Sequence, residues 1–330
     1  MSYPETLGTI PSLEEIAIPI TAPVEEGPPD IIPGLLPKAG QLVIAGKTNV
    51  GKSLLALEIC STLSTGTPLW GLLNPTVRSK RILYILGEHY DGVIQRLFQK
   101  TQLPMGDVWL LGPEKLGIDK WLVIGGKPNA AAMLKFERWV HGVDLVVFDP
   151  LSSFICGVDA ENDNLLMRSV IEAMTHITQA VGASCLILAH QGKPQLDQFG
   201  REHSRGSYAI RGASAIEDAS TNIFYLDKSD SPAQSIGDGM LLDLKCRKYK
   251  GEAPPEYRLL RDPETLTHTL LGNKTVFKEV QKFEYRAKIA RIRESNPGFD
   301  DRTAIKVLAS VEGMPVETLK KRLGLTLKEA

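Results

Sequence analysis

The chain has 330 residues, 43% of them hydrophobic and 23% charged, with a formal net charge of −1. That length accommodates one large α/β domain with a small appendage, and that composition supplies a sizeable core. The near-neutral balance excludes a global pull towards nucleic acid, so any such surface must be local.

Four cysteines, Cys60, Cys156, Cys185 and Cys246, lie far apart with no C-x-x-C pair. They read as free thiols in a reducing compartment, not as disulfides or a metal site. No signal peptide and no apolar run long enough to span a bilayer are found, so the expectation is a cytoplasmic protein.

Residues 1–38 are rich in proline and acidic residues. They read as an extended arm over 1–29 followed by a turn into the first folded unit. Within the arm, Ile18-Pro19-Ile20 suits either an edge segment on the core or a neighbouring subunit, or a loose tail.

Residues 46–53 (GKTNVGKS) fit G-x-x-x-x-G-K-[ST]. The chemistry asks for that spacing, because small residues let successive backbone N–H groups curl round a phosphate that also faces a helix N-terminus. An apolar strand at 41–45 precedes the motif and a helical run (KSLLALEICS) follows it, which is the strand–loop–helix setting it needs. The nucleotide-binding set is therefore Gly46, Lys47, Thr48, Asn49, Val50, Gly51, Lys52, Ser53 and Leu54. Lys52 would reach the β- and γ-phosphates of a nucleoside triphosphate, and the Ser53 hydroxyl would hold Mg²⁺.

From there apolar strands alternate with amphipathic helices. Strands are expected at 81–86, 144–149 and 184–189, and helices near 92–100, 130–140 and 165–181, with a loop-rich stretch around Val108–Leu111. Such repeats imply a mainly parallel sheet with helices on both faces, whose ligands sit at the carboxyl ends of the strands.

The residues just after each strand are accordingly the informative ones. Asp149 ends an apolar strand, as a second Mg²⁺ ligand opposite Ser53 would. Glu88, after the strand at 81–86, suits a general base on an attacking water, or an N-cap for the next helix. His190 and Gln191 follow the strand at 184–189 and suit a γ-phosphate sensor, or a structural pair. The long polar stretch 192–215 carries Lys193, Arg201, Arg205 and Arg211 beside glycines, fit for a phosphate backbone or simply for solvent.

Further strands, antiparallel in pattern, are expected at 221–226, 240–246, 256–260 and 266–271. Between two of them Lys248 and Lys250 form a basic hairpin tip, read either as a trans-acting finger or as lysines guarding an edge strand.

The order of these features resembles that of RecA-type ATPases, and residues 32–46 (IPGLLPKAGQLVIAG) resemble their lead-in segment. Within that superfamily the chain looks most similar to the plasmid-replication helicases typified by RepA, and more distantly to the DnaB-type replicative helicases. Three matches carry this: Gly87-Glu88-His89 with Arg96, His190–Lys193 followed by Arg205–Ser207, and Lys248–Gly251. The resemblance covers roughly 30–272. It implies an ATPase core in a homo-oligomeric ring, a hexamer being one such ring, with ATP between subunits and single-stranded DNA on the loop after Gln191. One departure concerns the hairpin tip, where those helicases carry Lys-x-Arg and this chain carries Lys248-Tyr249-Lys250, so the bidentate fork of arginine is missing.

Over 273–330 the composition turns to Lys, Arg and Glu. A charged helix at 277–294 is broken by Asn296-Pro297-Gly298, and two helices follow at 301–310 and 315–323. They fit a helix-turn-helix, or a small bundle that docks a subunit or a replication or regulatory partner.

The expected fold is thus α/β, a RecA-type P-loop core plus a small helical carboxyl-terminal domain. The expected function is a Mg²⁺-dependent, DNA-stimulated ATPase of RepA-like helicase type, with Glu88, Lys52 and Gln191 as catalytic residues. The alternative is a nucleotide-switched regulatory or assembly ATPase, similar to the clock and recombination-mediator ATPases, that acts through protein partners without unwinding.

Overall fold

Runs of Val, Ile and Leu without polar interruption can form strands only where both faces of a sheet are covered. The computed structural model describes residues 30–79, 81–88, 91–156, 163–191, 195–196, 202–203, 213–229, 239–250, 253–273, 285–286, 288–323 and 325. In chain order it contains β1 (Gln41–Gly46), α1 (Lys52–Thr65), β2 (Ile82–Leu86), α2 (Asp91–Thr101), β3 (Val108–Leu111), α3 (Ala130–Trp139), β4 (Leu145–Asp149), α4 (Asn164–Gln179) and β5 (Ser184–His190). Then come α5 (Ala213–Ala219), β6 (Asn222–Lys228), β7 (Met240–Lys248), β8 (Tyr257–Arg261), β9 (His268–Asn273), α6 (Asp301–Val311) and α7 (Val316–Leu323).

These nine strands share one sheet in the order β9-β8-β7-β6-β1-β5-β4-β2-β3. From β6 to β3 every pairing is parallel, and from β6 outward to β9 every pairing is antiparallel. This is the α/β fold of a P-loop NTPase. One sequence expectation changes: the strand near 221–226 is not simply the first of an antiparallel set. It lies parallel to β1 on one side and antiparallel to β7 on the other, since a connection that contains α5 joins it to β5, to which it also runs parallel.

Alternation along the strands builds two cores. Leu42 and Ile44 of β1 pack on one face with Tyr84, Leu86, Val147, Leu188 and the apolar side of α1. Val43 and Ala45 point to the other, with Phe148, Ile187, Phe136 of α3 and Met174 of α4. The first-turn residue Lys52 and most of α1 behind it are buried, so this helix lies inside the protein as an all-round apolar helix must. Its one buried carboxylate, Glu58, accepts from the Trp70 indole at 2.9 Å and from the His268 backbone N–H at 2.6 Å, which ties the helix to β9. Cys60 on α1 and Cys185 on β5 are buried free thiols. Desolvation pushes Cys60 up to about 12 and Cys185 higher still, and a thiol that resists ionisation is a poor nucleophile.

Sequence reading missed a small three-stranded ribbon, Lys127–Pro128, Val123–Ile124 and Ile155–Cys156. Two-residue strands are too short to leave a periodic signal. A third apolar cluster, separate from the other two, joins Tyr285, Ile305, Leu308, Leu319 and Leu323. It holds α6 and α7 together across the turn at Gly313, whose φ is 61°. Of the expected arm and charged helix, residues 1–29 and 274–284 lie outside the described residues. Among the described residues no helix is long and apolar enough to cross a membrane.

Candidate nucleotide-binding site

Parallel strands in register deliver their carboxyl ends to one rim. Gly46 of β1 stands opposite His190 of β5, and Leu86 of β2 opposite Asp149 of β4. Four chain segments far apart in sequence, those after Gly46, Leu86, Phe148 and Ala189, therefore meet at one edge.

The turn after β1 needs left-handed backbone at two positions. Asn49 has φ 62° and Gly51, the N-cap of α1, has φ 110°. A side chain at Gly51 would be strained at that φ, and its Cβ would also stand 2.8 Å from an Arg261 guanidinium nitrogen. Inside the turn the Lys52 ammonium donates to the carbonyls of Gly46 and Lys47, both at 3.0 Å, and lies 3.5 Å from His190 Nδ1. Burial pushes that ammonium down to about 8, against the opposing pull of the Asp149 carboxylate. A desolvated cation at a helix N-terminus is suited to a polyanion.

Ser53 Oγ donates to Asp149 Oδ2 at 2.8 Å. The Tyr84 hydroxyl donates to the same oxygen at 2.7 Å. A hydroxyl and a carboxylate so close, beside a phosphate-sized turn, fit Mg²⁺, a hard cation that takes few protein oxygens and keeps its waters and phosphate oxygens. Such an ion would neutralise charge on the β- and γ-phosphates. Ser53 and Asp149 would hold it.

At the neighbouring strand end Glu88 is exposed. Its Oε1 accepts from Ser153 Oγ at 2.9 Å, while the Lys120 ammonium donates to the Gly87 carbonyl at 3.1 Å. Gly87 packs so tightly that a Cβ there would stand 2.1 Å from the Ser153 Cβ, and only glycine permits that approach. Glu88 is thus presented as a solvent-facing carboxylate held from behind. Gln191 begins the next loop with its backbone N–H on the Gly46 carbonyl at 3.1 Å, which couples that loop's first residue to the phosphate turn.

A family model described as an AAA domain matches residues 21–195, more than half of the chain. The chain belongs to this AAA-domain family. Its members are P-loop ATPases, so nucleotide binding and ATP hydrolysis are the broad activity the match carries. The matched segment of the AAA domain runs from before β1 to just past β5 and contains every strand-end residue described above. No curated protein matches the chain.

Other sequence candidates of this AAA-domain protein fall elsewhere. Lys193, Arg201, Arg205 and Arg211 lie outside the described residues; within that stretch Gln195–Leu196 pairs with Glu202–His203. Lys248 stands opposite Ile223, which stands opposite Val43. That places it three rungs, about 10 Å, below Gly46 along the strands, and on the amino-terminal side of the rim. Its ammonium donates to the Glu217 carbonyl, and the Lys250 N–H donates to Asn222 Oδ1 at 3.3 Å. Neither lysine belongs to the rim of its own chain.

Four residues that the sequence reading passed over do belong to that rim: Tyr84, Ser153, Lys120 and Arg261. The Arg261 guanidinium donates to the Val50 carbonyl at 3.2 Å and braces the phosphate turn from outside. A tyrosine inside an apolar strand and an arginine ending one leave no local signal, since only the folded sheet brings them to the site.

Lys52 gives the site a pH dependence. Polyphosphate restores the charged form of an amine that burial has brought down to about 8. Above that pH the complex holds more protons than the free protein, so binding takes up a proton and weakens as pH rises. Below pH 7 both states are protonated and the uptake disappears. Calorimetry of ADP binding in EDTA, in two buffers of different ionisation enthalpy, should show uptake approaching one proton at pH 9 and much less at pH 7.5, where the terminal phosphate is already ionised; equal values would contradict the assignment.

Proposed function

We propose that this protein is an oligomeric, Mg²⁺-dependent, DNA-stimulated ATPase of the RepA-like replicative helicase type, with a core over 30–272 and a helical carboxyl-terminal domain over 273–330. The observation that carries the proposal is the meeting of Lys52, Ser53, Asp149 and Glu88 at one rim, with Ser53 and Asp149 2.8 Å apart. In this reading Glu88 takes a proton from the attacking water, and Ser153 fixes its carboxylate. Lys52 stabilises the charge that develops on the transferred phosphoryl group. Gln191, bonded to Gly46, passes the loss of the γ-phosphate to the loop that carries Lys193, Arg201, Arg205 and Arg211.

A ring is supported by the position of Lys248 and Lys250. They stand away from their own nucleotide rim, as groups that act on a neighbour's nucleotide would. Plasmid, phage or other mobile-element replication is the setting that the RepA-like pattern favours, and the carboxyl-terminal helices are the natural dock for a partner protein.

The test is steady-state ATP hydrolysis at low salt with and without single-stranded DNA. Stimulation of about tenfold, a barrier lowered by about 1.4 kcal/mol, is expected. Slow hydrolysis that DNA leaves unchanged would sink the motor reading and leave the nucleotide-switched regulatory ATPase in its place.

A further inference from the structure

Tyr84 is a core residue with one polar atom. Its neighbours along β2, Leu83 and Ile85, face the opposite core, whereas Tyr84 and Leu86 share the face beneath α1. Asp149 stands opposite Leu86, two rungs' worth of backbone above the Tyr84 Cα, so a tyrosine lying along this face delivers its hydroxyl to the Asp149 carboxylate. It does so at 2.7 Å with the ring fully buried. A phenylalanine would fill the same apolar volume without bringing a hydroxyl that must find an acceptor.

The same oxygen, Asp149 Oδ2, also accepts from Ser53. These two donors have different prospects. The Ser53 hydroxyl, half-buried at the start of α1, turns about its own Cα–Cβ bond and in the nucleotide-site reading would also offer an oxygen lone pair to the metal. The Tyr84 hydroxyl is anchored by a buried ring and cannot follow. We propose that Tyr84 is the positioning residue for the metal-binding carboxylate: its fixed hydroxyl holds Asp149 in one orientation, and so sets the affinity of the site for Mg²⁺. The inference rests on the reading of Ser53 and Asp149 as the Mg²⁺ pair. Partners that orient a ligating carboxylate commonly change metal affinity by about 10–100-fold when removed.

The experiment is binding of a fluorescent ATP analogue (mant-ATP) to the full chain and to Tyr84→Phe, in EDTA and across a Mg²⁺ titration. Phenylalanine should raise the Mg²⁺ concentration at half-effect by about tenfold and leave metal-free binding within about twofold, since the phosphate turn is untouched. An unchanged Mg²⁺ midpoint in a folded Tyr84→Phe protein overturns the inference and leaves the nucleotide site standing. A parental protein whose nucleotide binding ignores Mg²⁺ overturns both. Should the phenylalanine protein melt below the assay temperature, 4-fluorophenylalanine and 4-aminophenylalanine at position 84 replace it. The first fills the hydroxyl's volume without donating and should shift the midpoint. The second keeps a donor and should not; equal midpoints for the two would again overturn the inference.

Discussion

Lys52→Ala should lower the rate of ATP hydrolysis by about 10³-fold, the loss expected when a preorganised charge is removed from a site that stabilises a developing anion. The lysine is preorganised because two carbonyls of its own turn, Gly46 and Lys47, hold its ammonium at 3.0 Å in a buried position. No other described cation is seated inside that turn. Arg261 contacts the turn from outside, through the Val50 carbonyl, and its guanidinium is already committed there. Removal of Lys52 relieves the desolvation that burial imposes on an ammonium but takes a donor from two carbonyls, so stability must be read beside activity. Phosphate release measured beside a thermal melt separates the two effects. A folded variant that hydrolyses within threefold of the parent would remove the turn from the mechanism.

Glu88→Gln should bind ATP as the parent does and turn it over about 10²–10⁴ times more slowly, the range for loss of a positioned general base. The replacement is nearly isosteric and keeps an oxygen to accept from Ser153 Oγ, now 2.9 Å from Glu88 Oε1. The backbone frame is unaffected as well, since Gly87 remains clamped between the Lys120 ammonium on its carbonyl and Ser153 on its flank. What is lost is only the capacity to take a proton. Single-turnover hydrolysis alongside equilibrium nucleotide binding is the measurement, and normal turnover with glutamine would exclude Glu88 as the base. Ser153→Ala offers an intermediate case, because the carboxylate survives without its fixed donor.

Each of these two residues could be named before any coordinates. Lys52 sits in a motif whose eight positions are consecutive, so its geometry is local and its spacing legible. Glu88 and Asp149 were found by a different route: a parallel sheet must present its carboxyl ends together, and both residues follow apolar runs. The α/β class followed from the same alternation of strands and helices. The parallel pairing of β6 with β1 did not, because neighbours in a sheet are chosen by loop closure and packing across residues remote in the chain, not by the pattern within a strand.

Charge and exposure mark the limit of what sequence could say about the site's supports. Lys120 and Ser153 each come from a one-turn 3-10 helix with no periodicity; Ser153 reaches the Glu88 carboxylate and Lys120 the Gly87 carbonyl, and Gly87 permits the close approach of Ser153. Arg261 ends an antiparallel strand 211 residues after Val50, whose carbonyl it holds. The basic tip at Lys248 and Lys250 was legible as charge, but its place below the rim, three rungs from Gly46, depended on strand register.

Sequence by itself therefore determined the fold class and pointed to the candidate phosphate turn and strand-end carboxylates, all of which rest on local spacing or on the period of burial. Tertiary structure alone decided which residues hold those groups in place. Tyr84 is the clearest case. In the sequence it is one more large residue in an apolar strand, and its hydroxyl acquires a meaning only when β2 and β4 pair in register and α1 closes over them, because a hydrogen bond needs its two atoms within about 3 Å and only the folded sheet brings residues 65 positions apart that close.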